Sequence, residues 1–266
     1  MPRQKKIKPI KFFHPTPGII ESYPIIEAKK MKRSWLEQNG KDLNNFKQEL
    51  KKCPMSELRD KITSVSFISR CPGIRQFMNR GYIIPNPVDF YVETNGDRKT
   101  LSVASITPPN FGQFFKLKFH PEEQMHAYTA VPENSCKTIL KVATGWNVIP
   151  HEDYVFIVTS PHYNNEPRFT SAVGVLDPSY DTQVNIFLFW HVLEGRELVK
   201  AGTPLAQYIP VPRDLIQPEI ECEYLRKENY DEFLAAQNTI YNYLTDEGRD
   251  SNLLKETAFK IFKKFY

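Results

Sequence analysis

The amino-acid sequence of 266 residues predicts a mainly β fold, and its central segment from Gly145 to Arg213 is the strongest evidence. This segment contains three runs that are rich in β-branched and aromatic residues, and each is bounded by Pro, Gly, Asn or Asp. Such runs between turn-forming residues are typical of strands. Proline is abundant, with 21 residues, and glycine is modest, with 11, which favours extended segments with stiff connections. The predicted strands are Tyr154–Val158, Val184–Trp190 and Leu205–Val211.

We predict three parts along the chain: an extended arm and a helix in residues 1–60, a β-barrel core in 61–213 and a helical extension in 214–266. Prolines exclude a continuous helix over residues 1–26. The apolar residues of this arm indicate that it packs on the protein's own core or on a neighbouring subunit. Helical spacing of apolar residues predicts a helical segment over 27–52 and amphipathic helices over Tyr230–Leu244 and Ser251–Tyr266.

Between the arm and the centre, hydrophobic patterning predicts further short elements. Gly81 is expected to end a helix, and Asn95-Gly96 is a dipeptide of the kind that closes a hairpin. The predicted elements are a strand over Thr63–Ile68, a helix over Pro72–Arg80, a single strand over 83–93, a returning strand over Leu101–Ile106, a half-exposed strand over Phe114–Phe119, and a strand that begins at Thr138–Val142.

The net charge is +4, and the positive excess is concentrated in the first residues of the chain. Such a basic arm could bind nucleic acid or an acidic partner. The same composition is equally typical of a solvated tail that binds nothing. No uncharged apolar run is long enough for a transmembrane helix, and Pro9 and Lys11 interrupt any signal-peptide core, so we expect neither. The cations that precede the first acid, Glu21, are Arg3, Lys5, Lys6, Lys8 and Lys11.

Several kinds of catalytic site have no motif in this sequence. The four cysteines are far apart and form no CxxC pair, so we expect reduced thiols and no tetrahedral zinc site. A G-x-S-x-G nucleophile motif, a P-loop and a dinucleotide-binding G-x-G-x-x-G are all absent. Nucleophilic catalysis and a conventional dinucleotide site are therefore not expected.

The most specific segment is Gly174-Val175-Leu176-Asp177-Pro178-Ser179-Tyr180, which is followed by Ala201-Gly202-Thr203-Pro204-Leu205-Ala206-Gln207-Tyr208-Ile209. It resembles the core of the trimeric dUTPase and dCTP-deaminase superfamily, in which "GVID..Y" and "GD.IAQL" each accompany a strand. The resemblance covers about residues 145–212. It implies a β-clip or jelly-roll-like barrel, here with an N-terminal arm and helix and C-terminal amphipathic helices.

Carried over by position, this resemblance implies a nucleotide site that works with Mg²⁺. Asp177 would match the acid that orients the attacking water, and Tyr180 the ring that packs on deoxyribose. Ser160 would match a phosphate-contacting serine and Gln207 the glutamine of the strand motif. A simpler interpretation is that Asp177 begins an ordinary β-turn and accepts a backbone N–H.

The sequence departs from the superfamily pattern where the phosphates would bind. Thr159 and Pro161 replace the arginine and the glycine that flank the serine, although a triphosphate needs cationic and backbone donors. Arg168, His162 or a residue of a neighbouring subunit would have to supply the missing charge. Asp89 is a weak counterpart of the metal-contacting acid.

Most of the chain also resembles a family of phage and bacterial proteins without an established activity. The similar segments include PIIEAKKMKRSW, CPGIRQFMNRGYIIPNPVDFYVE, GVLDPSY and GTPLAQYIPVPR, and they span about residues 12–213. This resemblance implies a phage or bacterial setting, in the virion or in the cytoplasm of a bacterial host.

A third pattern is the H-x-D of His151 and Asp153, with His191 later in the chain. Two histidines and a carboxylate form the facial triad of Fe(II) oxygenases. In such a site of this chain, Arg196 or Lys200 could bind the carboxylate of 2-oxoglutarate. Such short motifs are also common in turns.

The leading hypothesis is a non-enzymatic structural or interaction protein of a phage, without a cofactor, whose β-barrel core and packing arms bind partner subunits in a homo-oligomer or larger assembly. Nucleic acid could bind the basic N-terminal arm. The alternative is a Mg²⁺-dependent nucleotide-binding protein or nucleotide pyrophosphatase related to dUTPase. The third hypothesis is an Fe(II)/2-oxoglutarate oxygenase.

Overall fold

The computed structural model describes residues 10–33, 36, 72–106, 113–125, 131–149, 153–213 and 234. The chain divides into two compact units, Met1–Arg33 with Met78–Leu215, and Ser34–Phe77 with Ile216–Tyr266. Every strand of the described ranges belongs to the first unit. No helix within these ranges is both long enough and apolar enough to cross a membrane.

The described part is mainly β, as the sequence predicts. Two short helices, α1 and α2, and two 3-10 turns accompany the strands. In chain order the elements are β1 (Phe12–Phe13), α1 (Ile19–Ser22), β2 (Ile26–Glu27), a 3-10 turn (Ala28–Lys30), α2 (Pro72–Asn79), β3 (Tyr82–Pro85), β4 (Phe90–Asn95), β5 (Leu101–Ser105), β6 (Lys116–His120), a 3-10 turn (Glu122–Met125), β7 (Ile139–Val148), β8 (Tyr154–Thr159), β9 (Phe169–Ser171), β10 (Gly174–Leu176), β11 (Gln183–Trp190), β12 (Glu194–Val199) and β13 (Pro204–Pro212).

The strands form three antiparallel sheets. The first sheet has the order β1-β7-β11-β9, and β6 also pairs with β7. The second sheet has the order β10-β8-β13-β3-β2, so β10 and β2 are its edges. The third sheet has the order β12-β4-β5. All strand pairs in these sheets are antiparallel, which fits the short turn-bounded runs of the sequence.

One apolar core joins the three sheets. Alternate residues of β7 and β11 are buried, because successive side chains of a strand point to opposite faces. Each large side chain that is fully buried contributes roughly 1.5–3 kcal/mol to folding. Core residues come from the first sheet (Leu140, Val142, Ile186, Leu188, Trp190), the second (Ile84, Phe156, Leu205, Tyr208) and the third (Phe90, Val92, Val199).

The described part of the N-terminal arm packs on the protein's own core. This was one of two predicted alternatives, the other being packing on a neighbouring subunit. β1 extends the first sheet beside β7, and β2 extends the second sheet beside β3. Ile19 of α1 is buried in the core, and the Phe12 ring lies 5.6 Å from the Tyr82 ring and 5.9 Å from the Phe156 ring. The described part of the arm is therefore integral to the β fold.

The prediction of a single strand over 83–93 is wrong. The segment forms β3 in the second sheet and β4 in the third, because the prolines at 85 and 87 interrupt the ladder between them. The buried Asn86 side chain fixes the crossing, since its Nδ2 donates to the Lys200 carbonyl (3.2 Å) and the Val199 carbonyl (3.3 Å).

Other predicted elements are found within a few residues of their expected bounds. α2 matches the predicted helix over Pro72–Arg80, and β5 matches the returning strand. Gly81 has φ 75°, and a Cβ there would lie 2.1 Å from the Tyr208 carbonyl oxygen, so this position requires glycine. The strand over Thr63–Ile68 and both C-terminal helices, apart from residue 234, lie outside the described residues, as does most of the predicted helix in 27–52.

Candidate functional site

Asp177 begins a β-turn, as the simpler interpretation of the sequence predicts. Its Oδ1 accepts hydrogen bonds from the Ser179 backbone N–H (2.9 Å) and hydroxyl (2.6 Å). Its carbonyl accepts from the Tyr180 N–H at 3.0 Å, which closes the turn between β10 and β11. The sequence Asp-Pro-Ser-Tyr therefore has a local structural role.

The Asp177 carboxylate is also paired with Arg213, which follows β13. Both terminal nitrogens of the guanidinium donate to the carboxylate, Nη1 to Oδ2 at 2.5 Å and Nη2 to Oδ1, in a bidentate arrangement. Arg213, together with the donors of Ser179, holds the pKa of the Asp177 carboxyl well below its usual range. A carboxylate with such a low pKa is a weak general base, because it has little affinity for a proton.

Tyr180 is the most exposed large side chain of this turn, at 90%. The sequence resemblance assigns its ring to a sugar, and the ring is free of packing in the described part of the chain. It lies next to the Asp177–Arg213 pair along the chain. This exposure is compatible with contact to a ligand or to another subunit.

Ser160 and Gln207 hold the backbone together. The Ser160 hydroxyl oxygen accepts from the Ser171 N–H at 2.7 Å and thus ties the end of β8 to β9. Gln207 is fully buried, and its Nε2 donates to the Arg80 carbonyl at 2.7 Å. These two predicted ligand-binding residues serve the fold in the described structure.

The structure does not bring the predicted nucleotide residues together within one chain. Leu176, just before Asp177, lies opposite Phe156 near the start of β8, whereas Ser160 follows the end of β8. The strand rise of about 3.3 Å per residue places the two ends roughly 15 Å apart. A site that used both Asp177 and Ser160 would need a second copy of the chain.

The cation expected near Ser160 is already paired. Arg168 donates to both carboxylate oxygens of Glu166, at 2.7 Å from Nε and 2.6 Å from Nη2, and also to the Leu198 carbonyl. His162 shares a hydrogen bond with the Thr159 hydroxyl at 3.0 Å. His162 and Glu166 line a surface cleft of about 510 Å³, together with the other residues of 160–167, Phe169 and Thr170.

The described residues do not fit a Mg²⁺ ion held by Asp177 and Asp89. Asp89 Oδ1 accepts from the Ala201 N–H at 2.6 Å, just before β13, while Asp177 binds Arg213, just after it. The length of β13 separates the two carboxylates by roughly 30 Å. Across the described ranges, no group of three or more His, Cys, Asp or Glu side chains could hold a metal.

The facial triad has no support from the described residues. Asp153 precedes β8, and its carbonyl accepts from the Arg213 N–H. His191 lies beside Thr170, with 3.0 Å between Nε2 and Oγ1, near the other end of β8. Burial lowers the pKa of His191. His151 lies outside the described residues, so the iron site stays a prediction.

An exposed apolar face on the second sheet was not predicted. Val175 of β10 lies directly opposite Ile157 of β8, and Ile209 of β13 continues the same row. Val175 is 67% exposed, Ile157 is 38% exposed and Val173, just before β10, is 76% exposed. We call these four residues the β10 face. The only signal in the sequence was the short run Ala-Val-Gly-Val-Leu, which is too brief for periodicity to show which face is buried.

No family model matches the chain, and no curated protein matches it. Solved structures similar to it include EIAV dUTPase, with a TM-score of 0.29 and 10% identity over 54% of this chain and 84% of that one. A mutant dUTPase from phage phi11 of S. aureus, described with a structural Mg(II) ion, has a TM-score of 0.30 and 14% identity over 56% and 85%.

Both of these similar structures are dUTPases, the class of protein that the sequence motifs resemble. The low TM-scores do not support the transfer of any residue role. The structure itself shows a mainly β chain whose described strands form three antiparallel sheets.

Proposed function

We propose that the protein is a non-enzymatic structural or interaction protein of a phage, and that its β core binds partner subunits through the β10 face. The observation that supports this proposal most directly is the exposure of the neighbouring apolar side chains of Val173, Val175 and Ile157. Contiguous exposed apolar surface of this kind marks interaction sites more often than isolated apolar residues do.

The proposed occupant of the β10 face is a second copy of this chain. β10 is an edge among the described strands of its sheet, and no described strand pairs with the second side of its backbone, which another strand could use. A second β10 can offer the same short edge and the same valines, which makes the surface complementary to itself. The phage setting rests on the sequence resemblance alone.

The state of the predicted catalytic groups also supports a non-enzymatic role. Asp177 is neutralised by Arg213, and Arg168 is neutralised by Glu166. In a nucleotide-hydrolysing site the acid would have to accept a proton or bind a cation, and the arginine would have to reach a phosphate. Each would first have to leave its present partner.

The test is the sedimentation velocity of the full chain and of Val175→Glu. We expect self-association of the wild type and its loss in Val175→Glu, because burying a carboxylate against an apolar partner is costly. Ile106→Glu is the matched control. Ile106 is 65% exposed, but it directly follows β5 of the third sheet and is not part of the β10 face. If wild type and Val175→Glu associate equally, the β10 face is not the interface and the proposal is contradicted.

A nucleotide-binding protein is the second candidate, and the exposed Tyr180 ring favours it. In this case the ring would stack on a nucleoside, and Ser160 of a second copy would approach Asp177 of the first. Thermal unfolding with dUTP and Mg²⁺ tests it, since a ligand that binds only the folded state raises the unfolding midpoint. A shift that Tyr180→Ala abolishes would support this candidate over the first.

A further inference from the structure

Three lysines lie on one face of the first sheet. Lys116 and Lys118 alternate along β6, so they point to the same side, and Lys118 lies directly opposite Lys141 of β7. We call these three residues the lysine face. Lys116 and Lys118 are exposed and Lys141 is half-buried. The next strand continues the row with Phe187, and the Lys141 ammonium lies 5.3 Å from the centre of that ring.

The lysine face has no acidic counterpart within the described part of the chain. None of its three ammonium groups forms an ion pair with a described residue, whereas the nearby Lys137 does so with Glu122 at 2.8 Å. Like charges directly opposite each other in a sheet are destabilising. The Lys118–Lys141 pair thus costs stability that no described carboxylate offsets, as expected of a surface that binds an anion.

The face borders a cleft of about 260 Å³ that offers further hydrogen-bond donors. The strand register between β7 and β11 shifts next to the cleft, and such irregularities bend a strand. Gly145 lies there with φ 82°, and a Cβ would meet the His14 and Phe114 side chains, so glycine lets them approach. The described residues that line the cleft include no Asp or Glu; its amide side chains are Gln113, Asn147, Gln183 and Asn185.

The basic start of the chain reaches the same sheet. β1 pairs with β7, the strand that carries Lys141, and the sequence before β1 holds five cations and no acid. Residues 1–9 lie outside the described structure. β1 pairs with Asn147 and Val148, at the end of β7 that is distant from Lys141, so the proposal rests on the described lysines alone.

We propose that the lysine face binds the phosphate backbone of single-stranded nucleic acid. Lys116 and Lys118 are spaced by about 7 Å along β6, which suits successive backbone phosphates better than one compact anion. Phe114, which is 36% exposed in the cleft, offers a ring on which a base can stack. A positive groove with aromatic rings is the usual way in which proteins bind single strands without sequence preference. The inference does not depend on self-association through the β10 face.

The test is fluorescence anisotropy of labelled oligo(dT) with the full chain and with the double variant Lys118→Gln/Lys141→Gln. We expect the variant to bind at least about tenfold more weakly. The slope of log Kd against log salt should fall by about 1.4, since each lost contact to a single strand contributes about 0.7. The variant should unfold at a temperature close to that of the wild type, because removal of the like-charge pair offsets loss of the Lys141–Phe187 contact.

The double variant Lys99→Gln/Lys200→Gln is the control. Both lysines are exposed and outside the first sheet, so the same net charge is removed elsewhere. Equal affinity of wild type and the Lys118/Lys141 variant, or an equal loss in the control, would overturn the proposal. Tighter binding of duplex DNA, or displacement of oligo(dT) by dTTP at equal phosphate concentration, would overturn the assignment to a single strand.

Discussion

The Asp177–Arg213 pair joins two distant parts of the chain at the surface. It links the turn after β10 to the residue that follows β13, and a bidentate arrangement gives such a pair more geometric definition than a single contact. Surface ion pairs contribute little to stability on their own. The larger consequence is chemical, because the pairing holds Asp177 ionised and occupied.

The first prediction concerns Arg213→Ala. Removing the guanidinium should raise the pKa of the Asp177 carboxyl towards its ordinary value, because Arg213 is the main cause of its depression. The stabilisation linked to a depressed carboxyl pKa is present above the unfolded-state pKa of about 4 and is lost as the pH falls through the folded-state pKa. Urea unfolding should show the variant as less stable at neutral pH, with a difference that shrinks in acid.

Arg196→Ala is the control for this prediction. Arg196 stacks on the Tyr91 ring at 4.2 Å and so makes a contact that does not depend on a carboxylate. Its effect on unfolding should be similar at neutral and acid pH. A pH-independent effect of Arg213→Ala would contradict the ion-pair assignment.

At the scale of elements, the N-terminal arm completes two sheets. β1 and β2 are only two residues long, but between them α1 inserts Ile19 into the core. The arm is held further by His14, whose Nδ1 accepts from the Thr16 N–H at 3.0 Å and whose ring lies 5.2 Å from the Trp146 ring. Burial lowers the pKa of His14, which favours the neutral ring that this acceptor role requires.

The second prediction compares Ile19→Ala with Ile20→Ala. Ile19 is fully buried, so its truncation should lower the free energy of unfolding by about 2–5 kcal/mol. Ile20, its neighbour, is 52% exposed, and the same truncation there should change stability by no more than about 0.5 kcal/mol. Urea unfolding of both variants measures the difference. Equal small effects would mean that the arm is not part of the folded core.

The sequence predicted the long strands well, because β8, β11 and β13 are dense in β-branched and aromatic residues and are bounded by turn formers. It did not predict β9, β10 or β12, which are short or strongly polar. The sequence pattern also predicted β3 and β4 as one strand. The effect of the two prolines on sheet membership depends on tertiary contacts, such as those of Asn86, which the pattern does not contain. The motif residues Asp177 and Tyr180 were correctly placed in a turn. The pairing of Asp177 with Arg213 was not predicted, because it depends on how β10 and β13 align.

At the scale of the whole molecule, two surfaces of opposite character stand out. The β10 face of the second sheet is apolar, and the lysine face of the first sheet is positively charged. Neither could be assigned from the sequence, since Lys118 and Lys141 are 23 positions apart and become neighbours only through the β6–β7 register. These two faces are the binding surfaces that we propose.

The third prediction concerns the response of the protein to nucleotides. Because Asp177 and Arg168 are already paired and the predicted site residues lie at opposite ends of β8, dUTP with Mg²⁺ should not raise the thermal unfolding midpoint. A shift of several degrees would be expected from a real site at saturating ligand. Such a shift would favour the nucleotide-binding candidate.

The central claim is that a second copy of the chain occupies the β10 face, and sedimentation of the purified full chain over a range of concentrations tests it most directly. We expect an oligomer whose mass is a multiple of the 31.0 kDa of one chain. A monomer of 31.0 kDa at every concentration would contradict it.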